Sequence, residues 1–417
     1  MKKLVKPSVI NGSQMAPASK SMMQRAIAIA ALAEGTSTLL NYTSCNDSDA
    51  ALQIAFNLGA DVSVNGTTVT IQGGFAPRHK HLNCGEAGLG IRMFTPIAAL
   101  SKTEMILEGE GSLTRRPITM LEAPLQELGI TFSSNGGYVP ITLTGPLKGG
   151  AAFVDGSVSS QMLTGMLIAL PMAENDTVLT VKDLKSKPYI DMTLEIMAAF
   201  GVEVTHDKYQ TFNIKGNQKY RACEYAVEGD WSGASFPLAA AAISGSVKVT
   251  NLRSDSKQAD MAFLEALRRA GALVEQTADW VKVTKSSLNA FEFDANECPD
   301  LFPPLVSLAA NCKGTTKLYG VGRLKHKESD RATVLKQEFT KLEIKIEIEG
   351  DCMSVTGGKI KAAPMYAHND HRIAMTAAVA ALNADGPIEI ENAESIDKSY
   401  PGFFVDFASI GGDVTDL

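Results

Sequence analysis

Tryptophan occurs twice in this 417-residue chain, and cysteine and histidine six times each. Cys45, Cys84, Cys223, Cys298, Cys312 and Cys352 form no CxxC pair, and a chain of this length can build a core without covalent staples. Reduced and mostly buried thiols are therefore expected. The histidines show no HExxH or similar spacing, so no metal site is expected. No apolar run approaches the ~18 residues needed to span a bilayer. The start, MKKLVKPSVINGSQ, has basic residues without the apolar stretch of a signal peptide behind them, which makes a cytoplasmic protein the expectation. Positive charge is not in excess either. The net charge is −7, so no general basic surface for nucleic acid is implied, although local basic groups can still hold a small anion. GEAGLG (85–90) lacks the GxGxxG order, and no GxxxxGK[ST] loop is present.

What the chain does have is length, apolar content and repetition. At 45% apolar residues it is globular, and it is too long for one ordinary core. A helix end followed by an alternating strand recurs as NLGADVSV, ELGITFSS, AFGVEVTH, RAGALVEQ, KLEIKIEI and SIGGDVTD. Its marks at Gly59, Gly129, Gly201, Gly271, Glu343 and Gly411 are 70, 72, 70, 72 and 68 residues apart. Glycine at five of them suits a left-handed residue just past a helix C-terminus. Between the marks runs a second series of small-residue apolar helices, among them AIAIAALAEG, FPLAAAAISG and MTAAVAALNA, each followed by a turn and a strand. The unit is helix–strand–helix–strand, repeated six times. The predicted fold is α/β, with two similar domains of three units each around buried helices. The boundaries fall at 18–227 and at 1–17 plus 228–417, with Gly229 a candidate hinge and the strand KLVKPSVI pairing with the second half.

Counting back from each turn or mark places helix starts near Lys20, Glu86, Ser159, Asp230, Pro299 and His371. A second set falls near Asn46, Arg116, Pro188, Gln258, Asp330 and Lys398. Lys20, Arg25, Arg116, Lys327, Arg331, Arg372 and Lys398 lie in or beside these first turns, where the helix dipole disfavours cations. Lys327 and Arg331 are also four apart, an unfavourable like-charge spacing. A single lysine or arginine of this kind is ordinarily a solvated or paired surface charge. Seven at equivalent places predict an anionic ligand set gathered by helix N-termini.

The stretches PASKSMMQRAIAIAALAEG, SSQMLTGMLIALP, SKPYIDMTLEIMAAFGV, HKESDR and NDHRIAM together resemble the EPSP synthase family (3-phosphoshikimate 1-carboxyvinyltransferase), from about residue 3 to the C-terminus. The resemblance implies two domains, each of three βαβαββ-type units. It also implies transfer of the enolpyruvyl group of phosphoenolpyruvate to the 5-hydroxyl of shikimate 3-phosphate, with no metal or organic cofactor. The expected partners are those two small molecules, with no nucleic acid or membrane, and a monomer is expected. By motif match, phosphoenolpyruvate meets Lys20, Gly88, Arg116, Gln161, Arg331, Arg372 and Lys398. Shikimate 3-phosphate meets Lys20, Ser21, Arg25, Ser159, Ser160, Gln161, Ser186, Asp300 and Lys327, with Tyr189 supporting the ring. Asp300 is matched to the base for the 5-hydroxyl. Glu328 is the candidate acid for the methylene carbon, although its cationic neighbours would lower its pKa, and Lys20 is a competing proton donor. Residues from both halves serve one reaction, so closure is expected, read as a fall in the small-angle-scattering radius of gyration on adding shikimate 3-phosphate.

The chain departs from the family pattern in CGEAGLGIRMF. Glu86 stands where asparagine is usual, Leu89 where threonine is, Gly90 where alanine is and Met93 where proline is. An acid at 86 would repel phosphoenolpyruvate unless paired, with Arg116 or Lys398 as expected partners. The related UDP-N-acetylglucosamine enolpyruvyl transferase usually carries a cysteine in the loop that here reads GEGSLTRRP, and this chain has none there. A non-catalytic paralogue would lose the acid–base groups, whereas Asp300 and Glu328 are both present.

Overall fold

At all six repeat marks the backbone turns left-handed. Gly59, Gly129, Gly201, Gly271 and Gly411 have φ between 80° and 114°, and Glu343 has φ 60°. Each mark closes a helix and redirects the chain into a hairpin. In the computed structural model, which describes residues 1–325 and 327–417, this local device recurs with each unit. His326, inside the HKESDR motif, lies outside the described residues.

The described residues form six four-stranded sheets, one per repeat. Each has one parallel strand pair followed by two antiparallel pairings, as in Gly150–Asp155 beside Thr177–Lys182, then Thr211–Ile214, then Thr205–Asp207. The parallel pair needs a helical crossover and the antiparallel pair a tight hairpin. Together these make the βαβαββ order.

The contacts divide the chain into two compact units, Lys20–Val227 and Met1–Ser19 with Glu228–Leu417. Within Lys20–Val227, the strand Glu224–Ala226 returns to pair in parallel with Gly35–Leu40 of the first repeat. Within the other unit, Lys2–Lys6 lies between Ile388–Glu391 and Asp413–Asp416, antiparallel to both, and Asn11–Met15 runs parallel to Ser246–Thr250. The N-terminal strand thus pairs with the second half, as its sequence suggested.

Three inner helices serve each unit: Lys20–Leu32, Gly88–Ala98 and Gln161–Ala169 in one, and Trp231–Ser244, Phe302–Ala310 and His371–Ala381 in the other. Every residue of Trp231–Ser244 is buried, so it carries no one-sided apolar stripe. Small side chains let such helices approach. A Cβ on Gly165 would stand 2.6 Å from the Met93 carbonyl oxygen. Gly229 lies close against the backbone of Asn251. Its N–H donates to the Asn251 carbonyl (2.9 Å), and a Cβ there would lie 2.2 Å from that oxygen, so glycine is required by close approach. Among the described residues no helix is long and apolar enough to cross a membrane.

All six cysteines are free, and Cys45, Cys84, Cys298 and Cys312 are buried. Burial pushes their thiols up, that of Cys312 to about 12. Titration of the native protein with a thiol reagent at pH 8 is expected to modify Cys223 and Cys352 rapidly and all six only in denaturant. Fast native reaction of more than two would show that the buried cores open.

Candidate active site

In the unit Lys20–Val227, the helix Lys20–Leu32 places Lys20 at its start and Arg25 one turn on. Arg25 is 1% exposed. Its Nε and Nη2 donate to the hydroxyls of Thr193 (2.9 Å) and Thr164 (3.3 Å), and its Nη1 to the Ser21 carbonyl (2.7 Å). All these acceptors are neutral, and desolvation lowers its pKa to about 10 against a small opposing influence of Tyr189. A buried guanidinium held only by neutral dipoles is an anion receptor in waiting. Lys20 is balanced differently, by an ion pair with Asp47 (2.7 Å).

Arg116 is 7% exposed and forms no ion pair among the described residues. Its guanidinium lies against Gly88, where an added Cβ would meet Nη2 at 2.4 Å. Arg92, which the motif comparison left unassigned, donates to Gln161 Oε1 (2.7 Å) and to the Pro117 carbonyl (3.3 Å) and so ties the Gln161 helix to the Arg116 loop. Ser159 Oγ accepts from the Gln161 N–H (3.1 Å), and Ser160 is buried beside it. Ser186 is the left-handed N-cap residue of the helix Lys187–Ala199, with Pro188 in its first turn, and its carbonyl accepts from the Tyr189 N–H (3.1 Å). Glu86 is anchored to the backbone of the loop that precedes Arg116. Its Oε2 accepts from the Ser112 N–H (2.7 Å), beneath Gly111 at φ 51°.

In the other unit, Arg331 has no exposed side-chain surface and engages three carboxylates. Nε and Nη2 grip Asp370 (2.8 and 3.2 Å), Nη2 also meets Glu328 (2.6 Å), and Nη1 meets Asp300 (2.7 Å). Asp300 is shared further, with Lys327 at 3.2 Å and Arg372 at 3.2 Å. Burial alone would raise the Asp300 pKa. Arg372, Lys327 and Arg331 outweigh it and hold the carboxyl well below its usual range. Lys327 is lowered, burial acting first and Arg331 adding to it, with Asp300 opposing. Arg372 Nη1 sits 2.8 Å from His371 Nε2. A guanidinium cannot accept, so a hydrogen bond there uses the Nε2 lone pair of His371. Lys398 donates to the Asn369 carbonyl (2.6 Å). The carboxylates turn to arginine and lysine, and among the described residues no group of three metal ligands forms.

The helix-terminus expectation needs correction at several places. Lys20, Arg331 and His371–Arg372 do open helices. Arg116 does not. It precedes Pro117, which disfavours the α region, and it is extended at φ −96°, ψ 124°. Lys398 ends the turn Ala393–Lys398, and Lys327 precedes its helix. Nor are the cations all uncompensated. Asp230, Asp330 and Asp370 cap helices by accepting from the N–H groups of Ser232, Thr333 and Arg372, which meets the positive helix ends with the protein's own acids. Lys20, Lys327, Arg331 and Arg372 all have carboxylate partners. Arg25 and Arg116 keep the expected character of buried cations without acids.

Solved structures share this architecture over the whole chain. An enolpyruvyl transferase from Streptomyces tendae superposes with a TM-score of 0.81 at 18% identity, covering 99% of this chain and 98% of its own, which defines the fold as that of the enolpyruvyl transferases. An EPSP synthase from Acinetobacter baumannii superposes with a TM-score of 0.84 at 27% identity and full coverage of both chains. The family described as EPSP synthase (3-phosphoshikimate 1-carboxyvinyltransferase) matches residues 4–407. Relatives named 3-phosphoshikimate 1-carboxyvinyltransferase are 39% identical in Methanocella arvoryzae (98% of this chain, 99% of theirs) and 33% in Clostridium novyi (97% and 96%). The chain belongs to the EPSP synthase family. Its reaction is that of the family: enolpyruvyl transfer from phosphoenolpyruvate to the 5-hydroxyl of shikimate 3-phosphate, releasing phosphate, in aromatic amino acid biosynthesis.

Proposed function

We propose that the two units divide this reaction between them. The unit Lys20–Val227 holds shikimate 3-phosphate through Lys20, Ser21, Arg25, Ser159, Ser160, Gln161, Ser186 and Tyr189. The other unit supplies Asp300 as base, Glu328 as acid, and Lys327, Arg331, Arg372 and Lys398 as anion contacts. Gly88 and Arg116 complete the phosphoenolpyruvate contacts. The observation that carries the reading is the carboxylate Asp300, kept ionised beneath three cations. An ionised carboxylate can take the 5-hydroxyl proton as the oxygen attacks C2 of the enol. Glu328 delivers a proton to C3, giving the tetrahedral adduct. Loss of a C3 proton and departure of phosphate then regenerate the enol ether. The protein acts in the cytoplasm as a monomer.

The direct test is phosphate release by purified protein given both substrates, with none released when either is omitted. Glu328→Gln keeps an oxygen for Arg331 but carries no acidic proton. It is expected to stop solvent deuterium from entering the phosphoenolpyruvate methylene during turnover, and undiminished exchange would assign the acid elsewhere. Gly88→Ala is expected to raise the KM for phosphoenolpyruvate about tenfold, since its methyl displaces the Arg116 guanidinium. The KM for shikimate 3-phosphate should change little, and equal shifts in both would remove Arg116 from the phosphoenolpyruvate contacts.

A further inference from the structure

Glu338 is a buried carboxylate that the mechanism above does not use. It lies on the helix Arg331–Lys341, two turns after Arg331 and on the same buried face. Its oxygens accept from three donors. The partly exposed Lys341 reaches both of them (2.8 and 2.7 Å), and the Tyr366 N–H bonds Oε2 at 3.0 Å. His368 Nε2 lies 2.8 Å from Oε1. A carboxylate only accepts, so that bond is donated by an Nε2–H of His368.

His368 begins a turn of two successive left-handed residues, with φ 52° at His368 and 55° at Asn369. Side chains other than glycine rarely adopt this conformation, and it persists only where the surroundings hold it. The turn aims both backbone groups of Asn369. Its N–H donates to Asn392 Oδ1 (2.6 Å), and Asn392 opens the turn Ala393–Lys398. Its carbonyl accepts from the Lys398 ammonium (2.6 Å) at the end of that turn. Asp370 follows directly and is secured by other groups: Arg331 (2.8 Å), the Ser329 hydroxyl (3.0 Å) and the Arg372 N–H (3.0 Å). The helix Arg331–Lys341 thus holds the segment 366–370 at both ends, by Glu338 at one and by Arg331 at the other.

We propose that Glu338 and His368 are a positioning pair for enolpyruvyl transfer, holding the left-handed turn so that the Asn369 carbonyl fixes the Lys398 ammonium. The inference rests on the reading that Lys398 contacts phosphoenolpyruvate. Loosening the turn moves the Asn369 carbonyl off Lys398, whereas Arg331 keeps its own grip on Asp370. The effect therefore belongs to phosphoenolpyruvate binding and spares the chemical step.

His368→Asn is the direct test. Asparagine also tolerates a left-handed backbone, but its amide nitrogen stands where Nδ1 stood and does not reach Glu338. The KM for phosphoenolpyruvate is expected to rise about tenfold, with kcat changed less than about threefold and the KM for shikimate 3-phosphate within about twofold. Glu338→Gln has one oxygen for two donors, the Tyr366 N–H and His368, and should act in the same direction. Added to Lys398→Ala, His368→Asn should cause no further loss, because both act on one ammonium. If Glu338→Gln does not fold, as judged by circular dichroism, His368→Asn carries the test, since that side chain is 23% exposed. An unchanged KM for phosphoenolpyruvate in His368→Asn, equal losses for both substrates, or additive losses in the double variant would each overturn the proposal. Lys398→Ala separates the two levels. If it leaves the KM for phosphoenolpyruvate unchanged, the underlying reading fails. If it raises that KM while His368→Asn does not, only the positioning pair fails.

Discussion

Asp300→Asn is expected to lower kcat by about 10²–10⁴-fold, the usual contribution of a positioned general base, while substrate dissociation constants from equilibrium titration change by only a few-fold. Asparagine preserves the shape and keeps one oxygen for Arg331 and Lys327, which share Oδ1, although its amide nitrogen then replaces the Oδ2 that faces Arg372. Alanine is the poorer probe. It would leave those cations without a shared anion, and loss of stability would be confused with loss of the base. The pH dependence follows from the depressed Asp300 pKa. A carboxylate favoured in the folded state contributes stability above its unfolded value of about 3.9, and that stability is lost as pH falls through the folded value. The difference in urea midpoint between wild type and Asp300→Asn should therefore be largest near neutrality and shrink at the acid end. For the same reason Asp300 cannot supply an acidic limb of kcat above pH 5. A full-rate Asp300→Asn enzyme would transfer the base role to another group.

Replacing Arg25 by methionine is expected to have two opposite effects. The affinity for shikimate 3-phosphate should fall about ten- to hundredfold, the worth of a hydrogen-bonded charge. The melting temperature should stay the same or rise by a few degrees. The rise is expected because Arg25 is buried without an acid, a desolvation cost that its neutral acceptors offset only in part. Methionine fills similar volume, and it leaves the threonines satisfied. The Thr164 and Thr193 hydroxyls already lie 3.1 Å apart, and Thr193 Oγ1 also donates to the Tyr189 carbonyl (2.8 Å). Calorimetric titration and thermal unfolding of the same variant check both signs. A destabilised Arg25→Met protein with normal affinity would make Arg25 a structural arginine.

The repeat was legible because it is local. A left-handed residue after each helix and a hairpin of alternating side chains are written within about ten consecutive residues, and the writing recurs six times. Even Glu343, the one mark without glycine, was placed by its interval and adopts the same left-handed turn. The basic residues of the site were legible as types. Their partners were not. Lys20 pairs with Asp47 across 27 residues, Arg331 with Asp370 across 39, and Arg372 with Ser232 across 140. Nothing in local patterning ranks one distant acid above another. Asp47 follows the expected helix start at Asn46 and Arg92 stands in CGEAGLGIRMF, so both are in view without a role. At Gly229 the close approach to the Asn251 backbone was also not legible, since a glycine required for backbone contact reads the same as one that permits motion.

By itself the sequence determined the βαβαββ unit, its sixfold recurrence and the family, because period, turn chemistry and contiguous motifs are properties of neighbouring residues. Tertiary structure alone decided the electrostatics. It made Arg25 and Arg116 buried cations without acids and bound Arg331 to three carboxylates. A charge's energy depends on its burial and on which groups lie within a few ångströms, and only folding sets those distances.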